Sequence, residues 1–432
     1  MRFSTRAALL GFTMALGLQF AAPASAQSYI APGSLLERPA SKKEQMEQAL
    51  ENARWRLGPL RLAPWFALRD AAYVSDVFAG SAGREEPDFT VTAAAGLQGY
   101  VPFGRKVFFA FDALPQYVWW QKQEDRRRVN GYYGIGLFGF FNRLNVETTA
   151  RRAEEQGIIT PEFAQRIHSR HDRLELTADL EVAPSFFVFG AASAAELRAL
   201  VEDLDPDPRL PQFQQLDREE RVIRGGIEYR REKRLRVAVG VERSEAEFLD
   251  PTRDLSNSGT SPLFELGYDT PRLKIASALA FRSLKPERGS QFEPFDETTG
   301  QLRLTLAPGW RLSYSLYGSR DLTYSLDRDH SSFTSDRYGL SISSRLGSTS
   351  SIEVFGEVGT HDYPASLTAT AREDDFTGYG AALHLKIREP LLVNAGITRS
   401  EIDSPVPGLD RTLTEVYLNF ELSLFGGAFT IR

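Results

Sequence analysis

From about residue 57 onward the chain repeats one pattern: two runs of alternating apolar and polar residues joined by a very short turn, then a long polar stretch. Leu302, Leu304 and Leu306 alternate with Gln301, Arg303 and Thr305; after Pro308-Gly309 the alternation resumes as Leu312, Tyr314 and Leu316 against Arg311, Ser313 and Ser315. A period of two puts the apolar side chains on one face of a strand and the polar ones on the other. The runs are long, and a tilted strand needs only about 9–11 residues to cross a bilayer. Strands of a soluble sandwich are usually shorter. The pattern predicts an all-β fold: a transmembrane, antiparallel, up-and-down β-barrel of about 18 strands (range about 16–18) with lipid outside and water within.

The connections support this reading. Short turns are expected at Pro102-Phe103-Gly104, Asn142-Arg143, Ala183-Pro184, Arg231-Glu232-Lys233, Thr270-Pro271, Pro308-Gly309, Gly347-Ser348-Thr349 and Arg388-Glu389-Pro390. Between them lie longer polar stretches such as 75–87, 154–168, 198–217, 248–259, 284–296, 325–332, 363–373 and 403–411. Alternation of short and long fits turns facing the periplasm and loops facing outward. Tyr117, Trp119, Trp120, Tyr132, Tyr133, Trp310, Tyr324, Tyr338 and Tyr379 fall near strand ends, where interfacial girdles are expected.

Residues 1–26 read as a cleaved secretory signal peptide, with Arg2 and Arg6 ahead of an apolar core and Ala24-Ser25-Ala26 at the cleavage site. The chain has no cysteine, so it carries neither disulfides nor a lipid-modified N-terminal cysteine. Past residue 26 no apolar run is long enough for a membrane-spanning helix. Export without such a helix is compatible with a closed barrel and points to the outer membrane of a Gram-negative cell, with lipid and the barrel insertion machinery as partners. A formal net charge of -6 and scattered basic residues argue against a nucleic-acid partner. A monomer is expected.

Residues 27–56 form a separate N-terminal segment, with 57–432 as the barrel. Ser41-Lys42-Lys43-Glu44 has the spacing of a capping box, and Met46, Ala49, Leu50 and Ala53 follow at helical intervals. This predicts a helix over 41–54, acting either as a periplasmic plug or docking site, or simply as a cover on the barrel mouth.

Parity within each strand assigns the inward face. It selects Arg224, Glu228, Arg236, Glu242, Lys274, Arg282, Arg303, Arg311, Arg337, Arg345, Glu353, Glu357, His384 and Lys386 as lumen-facing candidates, along with Glu175, Asp179, Glu181, Glu415 and Glu421. So many charges of both signs require water in the interior. They either shape the field of a permeation path or pair to stiffen the wall. Catalytic signatures are missing: there is no Gly-x-Ser-x-Gly, no His-Glu-x-x-His and no phosphate loop. His168 and His171, with Asp172 beside them, are a weak metal pair and more simply the polar edge of an outer loop. The expectation is no enzyme, no cofactor and no metal.

At the start of the barrel, Leu57-Gly58-Pro59-Leu60-Arg61-Leu62-Ala63-Pro64 and then Tyr73-Val74-Ser75-Asp76-Val77-Phe78 resemble the opening of the β-barrel porin family encoded beside exopolysaccharide and capsule genes. That family has asparagine where this chain has Asp76. The architecture is also similar to the eighteen-strand alginate exporters. The resemblance implies a conduit for export of an exopolysaccharide or capsular polysaccharide, with a periplasmic export partner at the N-terminal helix. Arg303, Arg311, Arg337 and Arg345 on consecutive strands would suit an acidic polymer. The alternative is a general or nutrient diffusion porin, for which loop 198–217, with Asp203, Asp205 and Asp207, is the candidate to fold into the pore. An outer-membrane lipid-modifying enzyme is a further reading. The chain ends Phe429-Thr430-Ile431-Arg432, with Phe429 standing in for the terminal aromatic that insertion machinery reads.

Overall fold

The computed structural model describes residues 42–53, 55–77, 86–200, 210–231, 234–366, 370–388, 391–406 and 409–422. The signal sequence, the acids of 203–207 and the Phe429 terminus lie outside these residues. Nineteen strands form one antiparallel sheet. The chain runs α1 (Lys42–Asn52), β1 (Trp55–Leu57), β2 (Leu60–Val74), β3 (Asp88–Phe103), β4 (Val107–Trp120), β5 (Arg128–Phe140), β6 (Leu144–Thr160), β7 (Phe163–Ala183), β8 (Phe186–Ala199), a short helix α2 (Leu210–Phe213), β9 (Arg218–Arg231) and β10 (Leu235–Phe248). It continues through β11 (Asn257–Asp269), β12 (Leu273–Pro286), β13 (Phe295–Leu306), β14 (Leu312–Tyr324), β15 (Ser332–Arg345), β16 (Ser350–Tyr363), β17 (Arg372–Arg388), β18 (Leu391–Asp403) and β19 (Arg411–Leu422).

Each strand from β2 to β19 pairs with its neighbours in sequence, and the pairing of β19 with β2, Glu415 opposite Val74 through Leu422 opposite Phe66, closes the ring. The barrel therefore has eighteen strands. Three-residue β1 lies outside that count; it turns back through Gly58, whose φ of 61° suits glycine, and covers the edge of β2 at Leu60–Leu62. All the short turns fall at one end of the barrel and all the long connections at the other, called here the turn end and the loop end.

Strand period decides what faces out. Ile223 and Ile227, Val239 and Val241, Leu279 and Phe281, Leu340 and Ile342, and Val354 and Val358 sit two or four residues apart on five strands and are all exposed. In water this would be an untenable apolar belt; facing lipid it is the stable arrangement. Tyr117, Tyr133, Trp310, Tyr338 and Tyr379 are exposed on the same surface, as a girdle requires. Trp120, Tyr132 and Tyr324 are not girdle residues. Trp120 and Tyr324 are buried, and Tyr132 is half-buried with its hydroxyl on Glu155.

The N-terminal helix lies inside the barrel. Met46 and Ala49 pack in one cluster with Tyr100, Phe108, Ala110, Phe138 and Phe140, all at inward positions of β3, β4 and β5 near the turn end. Met46 is wholly buried, worth roughly 1.5–3 kcal/mol of apolar transfer. The apolar stripe of the helix thus packs on the inner wall of the barrel. Met46→Glu would place a carboxylate in a cluster of four aromatic rings. The expected outcome is faster trypsin cleavage after Lys43 in the folded protein, with the barrel still migrating as a heat-modifiable band. Unchanged cleavage would show that the helix is held by something other than this cluster.

Candidate functional site

The lumen is built by the inward half of the two-residue period. Register places Arg224 and Glu228 of β9, Arg236 and Glu242 of β10, Lys274 and Arg282 of β12, Arg303 of β13, Arg337 of β15, Glu353 and Glu357 of β16, and His384 and Lys386 of β17 on the inward face. They form separate groups, not one row. In the half nearer the turns, Arg230 holds Glu228 and, at 3.3 Å, Asp179 of β7; Arg236 holds Glu265 of β11 and approaches Glu228 at 3.9 Å. One chain of alternating charge thus crosses four strands. Higher up, Arg282 meets buried Glu242 at 3.6 Å and donates to Thr299 Oγ1 at 2.8 Å. Arg224 is directly opposite Glu242 in the ladder. Pairing in this way offsets the cost of desolvating each charge.

The four arginines expected on consecutive strands divide. Arg303 stacks on the Tyr317 ring at 5.8 Å, and the Tyr317 hydroxyl donates to Glu357 at 3.3 Å. Arg337 lies two residues higher, over the Phe376 ring at 4.7 Å. Arg311 and Arg345 are at the turn end instead: Arg311 covers Trp310, and the Arg345 amide donates to the Arg311 carbonyl. They are rim charges, because their positions fall where the β14–β15 pair runs out. Lys274 is likewise near the turn end with Asp269 at 3.4 Å, and His384 Nδ1 pairs with Asn394 Oδ1 at 2.8 Å.

The loop end holds what sequence reasoning missed. The stretch 154–168 is not a loop: β6 and β7 continue to Thr160 and Phe163, and Pro161-Glu162 forms the tip of a long hairpin. That tip docks far away. Glu162 accepts hydrogen bonds from Ser325 Oγ at 2.7 Å and the Leu326 amide at 2.6 Å, and faces Arg372 at 3.7 Å. Ser325 and Leu326 connect β14 to β15, eight strands round an eighteen-strand ring from β6 and β7, so the hairpin reaches the opposite side of the mouth. Arg166, near the tip, also binds Glu415 of β19 at 2.9 Å. The dock is itself braced: Arg372 holds Asp327 at 2.8 Å and stacks on Tyr363 at 3.6 Å, and Arg253 donates to the His330 carbonyl at 2.8 Å. Burial pushes the Glu162 carboxyl above the usual carboxylate range, against the pull of its two donors and Arg372.

Beneath the hairpin, Ile159 and Ile167 join Leu197, Phe213, Leu216, Phe248, Leu255, Leu284, Phe292, Leu322 and Tyr324 in one buried apolar cluster. It caps the β8 to β15 side of the mouth. Loop 198–217 contributes Phe213 and Leu216 to this cap; among the described residues the segment that crosses the mouth is the β6–β7 hairpin. The sequence clue was the apolar Ile158, Ile159 and Ile167 in a stretch that a solvated loop would keep polar. His168 and His171, three apart on one strand, belong to opposite faces and form no pair. No group of three or more metal-ligating side chains occurs among the described residues.

No family model matches the chain, and no curated protein matches its sequence. Its fold does match solved structures. OccK2 (OpdF) of Pseudomonas aeruginosa aligns with a TM-score of 0.54 at 12% identity, over 84% of this chain and 98% of that one. A BenF-like porin from Pseudomonas fluorescens Pf-5 gives 0.52 at 10% identity, with the same coverage of 84% and 98%. OccAB3 of Acinetobacter baumannii gives 0.50 at 13%, again over 84% and 98%. The chain thus has the eighteen-strand barrel fold seen in these porins.

Proposed function

We propose that this protein is an outer-membrane channel through which small acidic solutes diffuse. The observation that carries the reading is the β6–β7 hairpin pinned across the mouth by Glu162 above a buried apolar cap. A polysaccharide would have to displace that hairpin and its dock over the whole time of threading, whereas a small molecule passes beside it. The polymer-conduit expectation finds no support among the structural neighbours. OccK2 is known in complex with glucuronate and OpdK of Pseudomonas aeruginosa with vanillate, both carboxylates. A carboxylate suits Arg303 and Arg337, each backed by an aromatic ring, since guanidinium binds carboxylate through two parallel hydrogen bonds. In this reading the turns face the periplasm and the capped loops face outward.

Conductance of the full chain in a planar bilayer tests it. Glu162→Ala removes the tip's anchor and is expected to raise chloride conductance; an unchanged value would mean that the hairpin does not limit the path. Because the docked carboxyl has a raised pKa, docking takes up a proton. It is tightest below the ordinary glutamate range and loosens as pH rises through the raised value. Conductance is therefore expected to fall as pH is lowered through the raised value, and Glu162→Gln should flatten that dependence. Arg303→Ala and Arg337→Ala should each lower the permeability ratio of glucuronate to a neutral sugar by a few-fold, the scale of one charge-assisted hydrogen bond. An unaltered ratio in the double variant would sink the acidic-solute reading.

A further inference from the structure

The barrel wall is not paired over its full height. β13 keeps β12 beside it along its length, from Leu306 opposite Leu273 to Phe295 opposite Leu284. Its register with β14 covers only Gly300–Leu306 against Tyr314–Arg320. Above that, Asp321–Tyr324 stay with β15, and Leu322 and Tyr324 turn into the apolar cap; Tyr324 meets Phe248 edge-on at 4.8 Å and Asn257 at 3.0 Å. The edge of β13 from Phe295 to Thr299 is left without a strand.

A cavity of about 520 Å³ opens at this seam, lined by Leu279, Glu297, Thr298, Thr299, Gly300 and Arg320. Four of these are consecutive. Successive residues of a strand belong to opposite faces, so the cavity runs along the open edge, touching Thr298 and Gly300 of one face and Glu297 and Thr299 of the other. On the inner side it reaches Thr299, which accepts from Arg282 in the lumen. On the outer side it begins at Leu279, one strand position from exposed Phe281 at the top of the apolar belt. An open sheet edge is costly inside hydrocarbon, and exposed Phe281 stands opposite Thr298 on the unpaired run itself. Among the described residues one ion-paired side chain bridges the gap. Arg320 of β14 holds Glu297 of β13 at 2.5 Å, and the same guanidinium holds Asp336 of β15 at 2.8 Å. Arg320 and Glu297 are 40% and 48% exposed, so an incoming group can reach the clip.

We propose that the β13–β14 seam is a lateral portal by which a small carboxylate-headed amphiphile passes between the outer leaflet and the lumen, a route separate from the axial one above. The head displaces Glu297 from Arg320, which breaks the link across the seam while the Arg320–Asp336 pair keeps β14 and β15 together. The tail lies against Leu279 and Phe281. The volume falls within the roughly 300–1,000 Å³ of small-molecule sites.

The test uses the absence of cysteine, because Thr298→Cys creates a single reactive site on the rim of the cavity. Uptake of radiolabelled dodecanoate is measured in cells producing the full chain, and chloride conductance of the same protein is measured in planar bilayers. Coupling a bulky maleimide to T298C is expected to cut dodecanoate uptake severalfold and leave conductance unchanged. Glu297→Gln, which weakens the clip, should raise uptake a few-fold, the scale of one exposed ion pair. Dodecanoate uptake that ignores the maleimide overturns the proposal, as does uptake that never depends on the protein. A fall in uptake and conductance together also overturns it, because it would place both on the axial path. Conductance is read independently, so failure of the portal leaves the diffusion-channel reading to stand or fall by its own measurement.

Discussion

Everything in this structure depends on the need to pair backbone amides and carbonyls in a medium that offers no water. In hydrocarbon an unpaired peptide group costs several kcal/mol, so a spanning sheet must close on itself. The contact that satisfies this is the β19–β2 ladder, joining Arg411–Leu422 to Leu60–Val74 across most of the chain length. Closure creates an inside and an outside, and the two-residue period then assigns each side chain to lipid or lumen. The charged lumen is a consequence: Arg230 and Glu228, or Arg282 and Glu242, can be on the wall only because the opposite faces of their strands carry the apolar belt.

Once a wide ring has closed, filling it becomes the second problem. This chain uses three elements that enter from the ends. Helix α1 brings Met46 to an aromatic patch at the turn end, the β6–β7 hairpin crosses the loop end to Arg372 and Ser325, and the upper parts of β14 and β15 lean inward onto Phe248. Each places apolar side chains on inward wall positions that would otherwise face water.

The barrel itself was legible from sequence because its signal is local and repeats. Alternation such as Leu302, Leu304 and Leu306 against Gln301, Arg303 and Thr305 reports the environment of each face directly, and eighteen such strands close the barrel. The way the ends fold inward was not legible in the same way. Glu162 has no special neighbours in the chain; its partners are about 160 and 210 residues away. Acidic loop 198–217 stood out because charge is visible in a sequence and a docking site is not. Arg303 and Arg311 looked equivalent because parity carries no height; only the register shows one in mid-wall and the other on the rim. His168 and His171 could be weighed as a pair only on their spacing, and on β7 a spacing of three puts them on opposite faces.

The seam between β13 and β14 shows how the two demands compete. Carrying the pairing on to Phe295 would add about five backbone hydrogen bonds, each worth about 1 kcal/mol net and less where water replaces them. It would also hold Leu322 and Tyr324 upright, above the apolar belt. Turning them inward buries both with Leu326 among Leu284, Phe292 and Phe295, at roughly 1.5–3 kcal/mol for each large side chain. The two sums are of similar size, about 5 kcal/mol against about 6, so the outcome depends on where the strands part. Up to Gly300 the ladder with β14 is kept and pairing wins; above it Leu322 and Tyr324 enter the cap and burial wins. The wall therefore opens where burying these side chains outweighs extending the ladder.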